Sequence, residues 1–139
     1  MTKKYIRVVG AVIEDENNSI LCAQRPEGKN LAFKWEFPGG KIEDGETPAD
    51  ALKRELVEEM TLDISIGEKI TTTVYEYDFG IVELTTYYAK ILAGKIRLLE
   101  HVQMKWVNPL EIEKLDWAPA DIPAIEIIKQ KSGNRVGKC

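Results

Sequence analysis

Glu55, Glu58 and Glu59 crowd into one short segment, with Arg54 directly before them and Glu46 upstream. Carboxylates this dense repel one another unless a cation neutralises them. Hard oxygen donors in such number suit Mg²⁺, with Mn²⁺ as a second choice, and these ions usually also hold the phosphates of a substrate. The chemistry implied is metal-assisted reaction at phosphorus. The plain alternative is a solvated acidic helix face, which needs no ligand.

A helix must position these side chains. Thr47 offers a capping hydroxyl, Pro48 suits a first turn, and Asp50 follows the threonine by three residues, which predicts a helix from Pro48 to about Met60. At 100° per residue, Ala49, Leu52, Leu56 and Met60 fall at about 0°, 300°, 340° and 20°, a stripe to be buried. Glu55, Glu58 and Glu59 fall at about 240°, 180° and 280° and share the adjacent face. Like charges at these spacings, near the negative end of the helix dipole, cost about 0.3–1 kcal/mol apiece. A divalent metal would relieve that repulsion and bridge to a polyphosphate.

Around this helix the pattern is mainly β. Tyr5 to Glu14 reads as a strand, Asp15 to Ser19 as its turn, and Ile20 to Gln24 as its partner. Arg25 to Lys34 is a polar loop. Lys69 to Phe79 and Ile81 to Leu92 read as a hairpin turning at Asp78 to Gly80. Gln103 to Val107 is a short strand, Asn108, Pro109 and Glu111 open a short helix, and Ile122 to Gln130 is a final helix with Pro123 in its first turn. Strands on both sides of a middle helix, with a second helix at the end, predict an α/β protein: an α/β/α sandwich around a mixed central sheet. At 139 residues the chain fits one domain, taken as 1–130, with Lys131 to Cys139 read as a flexible tail.

Composition excludes several classes. The net charge of −4 argues against a nucleic-acid polymer, which needs a basic track, but not against a small metal-complexed nucleotide. No apolar run approaches the roughly 20 residues that span a bilayer, so no membrane partner is expected. The basic N-terminus leads into a strand rather than a signal peptide. Cys22 and Cys139 form neither a disulfide framework nor a zinc motif, and a reducing cytoplasm is expected. The expected state is a monomer or a homodimer.

The glutamate segment resembles the Nudix box, Gly-x5-Glu-x7-Arg-Glu-U-x-Glu-Glu-x-Gly-U, where U is aliphatic. Gly40, Glu46, Arg54, Glu55, Leu56, Glu58, Glu59 and Leu62 fit, and Thr61 stands where the family has glycine. WEFPGG, Trp35 to Gly40, is similar to the approach to the box in MutT-type nucleotide pyrophosphohydrolases. WAPADIP, Trp117 to Pro123, is similar to the C-terminal segment of the CTP pyrophosphohydrolase branch. The resemblance implies a Nudix-type α/β/α sandwich and Mg²⁺-dependent hydrolysis of a nucleoside triphosphate to the monophosphate and pyrophosphate. CTP, dCTP or a modified dCTP is the expected substrate, with 8-oxo-dGTP as the alternative. The ADP-ribose branch, which usually shows a proline some fifteen residues past the box, fits less well. A non-catalytic nucleotide sensor is the alternative from another class, although the box glutamates are intact.

By the same resemblance, Glu55 is the general base or water-orienting group, with Arg54 holding it or serving as a structural ion-pair partner. Glu55, Glu58, Glu59 and the backbone carbonyl of Gly39 are expected metal ligands. Glu46 is expected to be a structural or outer-shell member rather than a first ligand. Glu100 either joins the metal site or is a surface loop residue. Arg25 and Lys41 match positions that face the phosphates. His101, the sole histidine, reads as incidental. Asp121 either caps the last helix or meets the base edge, as its counterpart does in related enzymes. An ionised aspartate only accepts hydrogen bonds and would favour cytosine's amino group, whereas a protonated one could also donate. Phe37, Trp35 and Trp117 offer stacking surface or simply core. Thr61 puts the helix cap in question, because a β-branched residue adopts the left-handed conformation poorly, at about 1 kcal/mol. It removes no metal ligand.

Overall fold

The computed structural model describes residues 3–137, with side chains through residue 133. In chain order its elements are β1 (Tyr5–Ile13), β2 (Ile20–Gln24), β3 (Trp35–Glu36), β4 (Gly39–Lys41), α1 (Pro48–Met60), β5 (Asp63–Tyr77), β6 (Gly80–Ala93), β7 (Gln103–Val107) and α2 (Ile122–Gly137). A mixed sheet has the order β4-β1-β6-β5, with β1 parallel to β6 and the other pairs antiparallel. A second, antiparallel sheet has the order β3-β2-β7.

Alternation along the strands explains the layers. Val9, Ala11 and Ile13 of β1 join Leu21 and Ala23 of β2 in a core with Leu52, Leu56 and Met60 of α1. Val12, Ile20 and Cys22, on the opposite faces, pack with Ala124, Ile125 and Ile128 of α2. Strands whose successive side chains point to opposite faces therefore bury both sides, one under each helix. The result is the expected α/β/α arrangement.

Helix α1 has the expected bounds. The Thr47 hydroxyl accepts from the Asp50 N–H at 3.1 Å, and Pro48 opens the first turn. The helix closes at Thr61, which adopts φ 57°, ψ 34°, so the left-handed cap forms despite the missing glycine. Its hydroxyl donates to the Lys95 carbonyl at 2.7 Å, a bond glycine could not make. The buried stripe differs from expectation at one position: Ala51 is buried, while Ala49 is only half-buried. Ala51 lies one turn before Glu55, so the buried arc of α1 widens toward its carboxylates.

Other differences reflect distant pairing. β2 is not the hairpin partner of β1. Among the described residues, the Glu14–Ile20 bridge alone pairs the two segments, because β4 and β6 occupy the two edges of β1. β5 starts at Asp63 rather than Lys69, through register shifts around Gly67 that interrupt the alternation. A 3-10 turn, Ile112–Lys114, stands where a helix from Asn108 was expected, and a second 3-10 turn, Pro119–Asp121, leads into α2. α2 continues to Gly137, beyond its expected end at Gln130 and into the segment read as a tail, and Lys138 and Cys139 lie outside the described residues. Among the described residues, no helix is long and apolar enough to cross a membrane.

Candidate active site

The two glycines before α1 let backbone, helix and sheet meet without side chains between them. A Cβ on Gly39 would lie 1.9 Å from the Val9 carbonyl oxygen, and one on Gly40 would lie 2.4 Å from the Glu55 carboxylate. Glu55 therefore rests directly on β4. Behind it, Arg54 is a hub. Its Nε and Nη2 donate to the two oxygens of Glu46 at 2.7 and 2.9 Å, a two-point pairing. Its Nη1 donates to Glu55 at 2.9 Å and to Glu58 at 3.2 Å, and Nη2 also reaches the Lys41 carbonyl at 3.0 Å. The guanidinium, with the Glu43 N–H, holds the Glu46 carboxyl down to about 2. Glu46 thus buttresses Arg54, and Arg54 fixes Glu55.

Glu59 has the opposite environment. Burial, then the charges of Glu55, Glu36 and Glu100, push its carboxyl up to about 9, and its Oε2 is buried without a hydrogen-bond partner. A buried orphan oxygen beside further carboxylates fits a hard divalent cation, which would satisfy the oxygen and reverse the repulsion. Glu55, Glu59, Glu100 and Gly39 all line one cleft of about 720 Å³. Glu58 does not line it: its side chain is 58% exposed and turned to Arg54. Glu100 pairs with Lys29 at 3.4 Å. Among the described residues, no three candidate side chains are already gathered into a closed ligand set.

The facing wall comes from remote segments. Asp121 is buried and lines the cleft. Its Oδ1 accepts from the Phe37 N–H at 3.2 Å, so its carboxyl serves β3's continuation rather than the helix it precedes. Burial, then the charge of Glu36, raises its pKa well above the ordinary value. Phe37 lies against Trp117, ring centres 4.8 Å apart. Phe37 lines the cleft, whereas Trp35 and Trp117 belong to the core beneath it. The Tyr77 hydroxyl accepts from the Ala120 N–H at 2.8 Å and so anchors the Asp121 segment. Leu31, Phe79 and Val82 add apolar surface.

Arg25 and Lys41, the two expected phosphate contacts, also line the cleft. Glu36 and His101 line it too. Sequence reasoning passed over the first and read the second as incidental. Their neighbours in the chain, Phe37 and Glu100, were the available signal.

A cleft lined by clustered glutamates, by Arg25 and Lys41 and by a buried hydrogen-bonding carboxyl, set in an α/β/α sandwich, suits a hydrolase of phosphate anhydrides. The NUDIX domain family matches residues 4–126. The chain belongs to the Nudix family and is a nucleotide pyrophosphohydrolase. It is 38% identical over 123 residues to a CTP pyrophosphohydrolase of Escherichia coli (strain K12), covering 88% of this chain and 90% of that one. It is 33% identical over 134 residues to an 8-oxo-dGTP diphosphatase of Haemophilus influenzae, covering 96% and 98%. Among solved structures, a MutT protein of the Nudix family from methicillin-resistant Staphylococcus aureus 252 superposes with a TM-score of 0.76 at 52% identity, covering 94% and 99%.

Proposed function

We propose that the chain hydrolyses a nucleoside or deoxynucleoside triphosphate to the monophosphate and pyrophosphate, with CTP, dCTP or a modified dCTP as substrate. The observation that carries this reading is the buried Asp121 carboxyl facing a cleft whose other wall is lined by Glu55 and Glu59. The base meets Asp121 and Phe37, and the phosphates reach the glutamate wall past Arg25 and Lys41. Mg²⁺, or Mn²⁺, would be held by Glu55, Glu59, Glu100 and the Gly39 carbonyl, with Glu58 joining them only by turning away from Arg54, and would supply charge neutralisation and Lewis-acid activation. Glu55, fixed by Arg54, orients the attacking water and takes its proton. Cytosine offers an amino donor to Asp121, and the CTP pyrophosphohydrolase of Escherichia coli supports that choice.

A second reading, 8-oxo-dGTP, draws on the raised Asp121 pKa. A neutral carboxyl both donates and accepts, and so could also pair with an oxidised guanine. Pyrophosphate release with Mg²⁺ is measured across CTP, dCTP, 5-methyl-dCTP, 8-oxo-dGTP and dGTP. A kcat/KM at least about tenfold higher for a cytosine nucleotide supports the first reading. The reverse order overturns it in favour of the second, and no release with any of them overturns the reaction itself.

A further inference from the structure

Three cleft residues from separate segments form a chain of polar contacts. Arg25 follows β2, Glu36 ends β3, and His101 precedes β7. The Arg25 Nη1 donates to Glu36 Oε1 at 3.0 Å, and its Nε donates to the Asn30 carbonyl at 2.8 Å. The other Glu36 oxygen lies 2.9 Å from His101 Nε2. The His101 side chain is only 4% exposed, which fixes the far end of the chain. Both Glu36 oxygens are thus engaged. A guanidinium carries five N–H donors, and those of Arg25 beyond the two in use have no protein partner among the described residues.

A plain ion pair tying three segments together is the simplest account of these contacts. Two features go beyond it. All three residues line the cleft, so the pair borders the space a ligand takes. Arg25 is also the cation read as a phosphate contact, and a long side chain fixed before the substrate arrives loses less freedom on binding. We propose that Glu36, locked by His101, is a positioning residue that aims Arg25 at the phosphate chain of the substrate. This rests on the reading of Arg25 as a phosphate contact. Charge alone predicts the opposite effect of removing Glu36: a less neutralised Arg25 would hold a polyphosphate more tightly.

Steady-state kinetics with the best nucleotide of the panel tests the proposal. Arg25→Ala should raise KM about tenfold or more, the loss of a charged hydrogen bond. An unchanged KM in that variant overturns the phosphate reading of Arg25, and the proposal with it. Given that rise, Glu36→Gln should also raise KM about tenfold while kcat stays within about twofold, and should add nothing in an Arg25→Ala background. His101→Ala should show part of the same rise, and His101→Gln, whose amide can donate to Glu36, should restore most of the wild-type KM. Additive effects, or a KM that stays level or falls in Glu36→Gln, overturn the proposal. So does a shift in half-saturating Mg²⁺ that persists without Arg25, since Glu36 would then act on the metal side. If Glu36→Gln does not fold, as judged by its thermal transition, the His101→Ala and Arg25→Ala pair carries the same cycle.

Discussion

Along the α1 wall, Arg54 compensates Glu46, Glu55 and Glu58 together, and Glu46 is driven down to about 2. In the same cleft, Asp121 has one backbone donor, no cation in hydrogen-bond contact among the described residues, and a pKa pushed well above the ordinary value by burial. The first wall keeps negative charge by supplying positive charge at close range. The second supplies less: the charge of Arg25 acts on Asp121 but is outweighed by burial and by Glu36, which favours a neutral carboxyl. One wall is thereby suited to phosphates and cations, the other to the uncharged edge of a base. Glu59 is the exception that joins the two behaviours: it lies on α1, half-buried, with one oxygen buried and unpartnered, and a proton or a divalent cation would relieve it.

The hardest break of this contrast is Glu55→Gln. It keeps the shape of the α1 wall and removes its base, so turnover should fall by roughly 10²-fold or more while nucleotide binding persists. Near-normal turnover would remove Glu55 from the reaction. Next, Glu59→Gln takes away the unpartnered carboxyl oxygen. Half-saturating Mg²⁺ should rise by about tenfold or more, and the gain in melting temperature on adding Mg²⁺ should shrink. An unchanged Mg²⁺ requirement would show that Glu59 holds no metal.

Asp121→Asn sharpens the other wall. The kcat/KM ratio between cytosine and 8-oxoguanine nucleotides should change by about tenfold, the worth of one hydrogen bond to a base. Its pH dependence has a defined sign. The folded pKa of Asp121 lies above the ordinary 3.8, so its contribution to stability is full below that value and is lost as pH rises through the folded pKa. The asparagine variant does not titrate. Its melting temperature should therefore gain on the wild type as pH is raised from about 4. Parallel melting curves across that range would mean that Asp121 is ionised at little cost.

The smallest effect belongs to Thr61→Gly. Relief of the left-handed φ is offset by loss of the bond to Lys95, so stability should move by no more than about 1 kcal/mol and activity should hold. A clear loss of activity would tie the cap to the α1 wall.

Where the signal was local, it was legible. The Thr47 cap, the Pro48 start and the 3.6-residue period fixed α1, and the Gln103–Val107 strand was read with the bounds it has. β3 and β4, with two and three residues, are too short to show a period, yet they carry Glu36, Gly39 and Gly40. The pairing of β1 with β6 depends on residues more than seventy positions away.

The same division runs through the site. The amino-acid sequence by itself determined α1, its clustered glutamates, the arginine among them and the glycines before them, because helix period and caps act over a few residues. Only the tertiary structure decided that Glu59 faces the cleft with one oxygen unpartnered while Glu58 turns to Arg54, that His101 meets Glu36, and that Asp121 lies against the Phe37 N–H, 84 positions earlier. Those outcomes depend on burial and on contacts between segments that folding alone brings together.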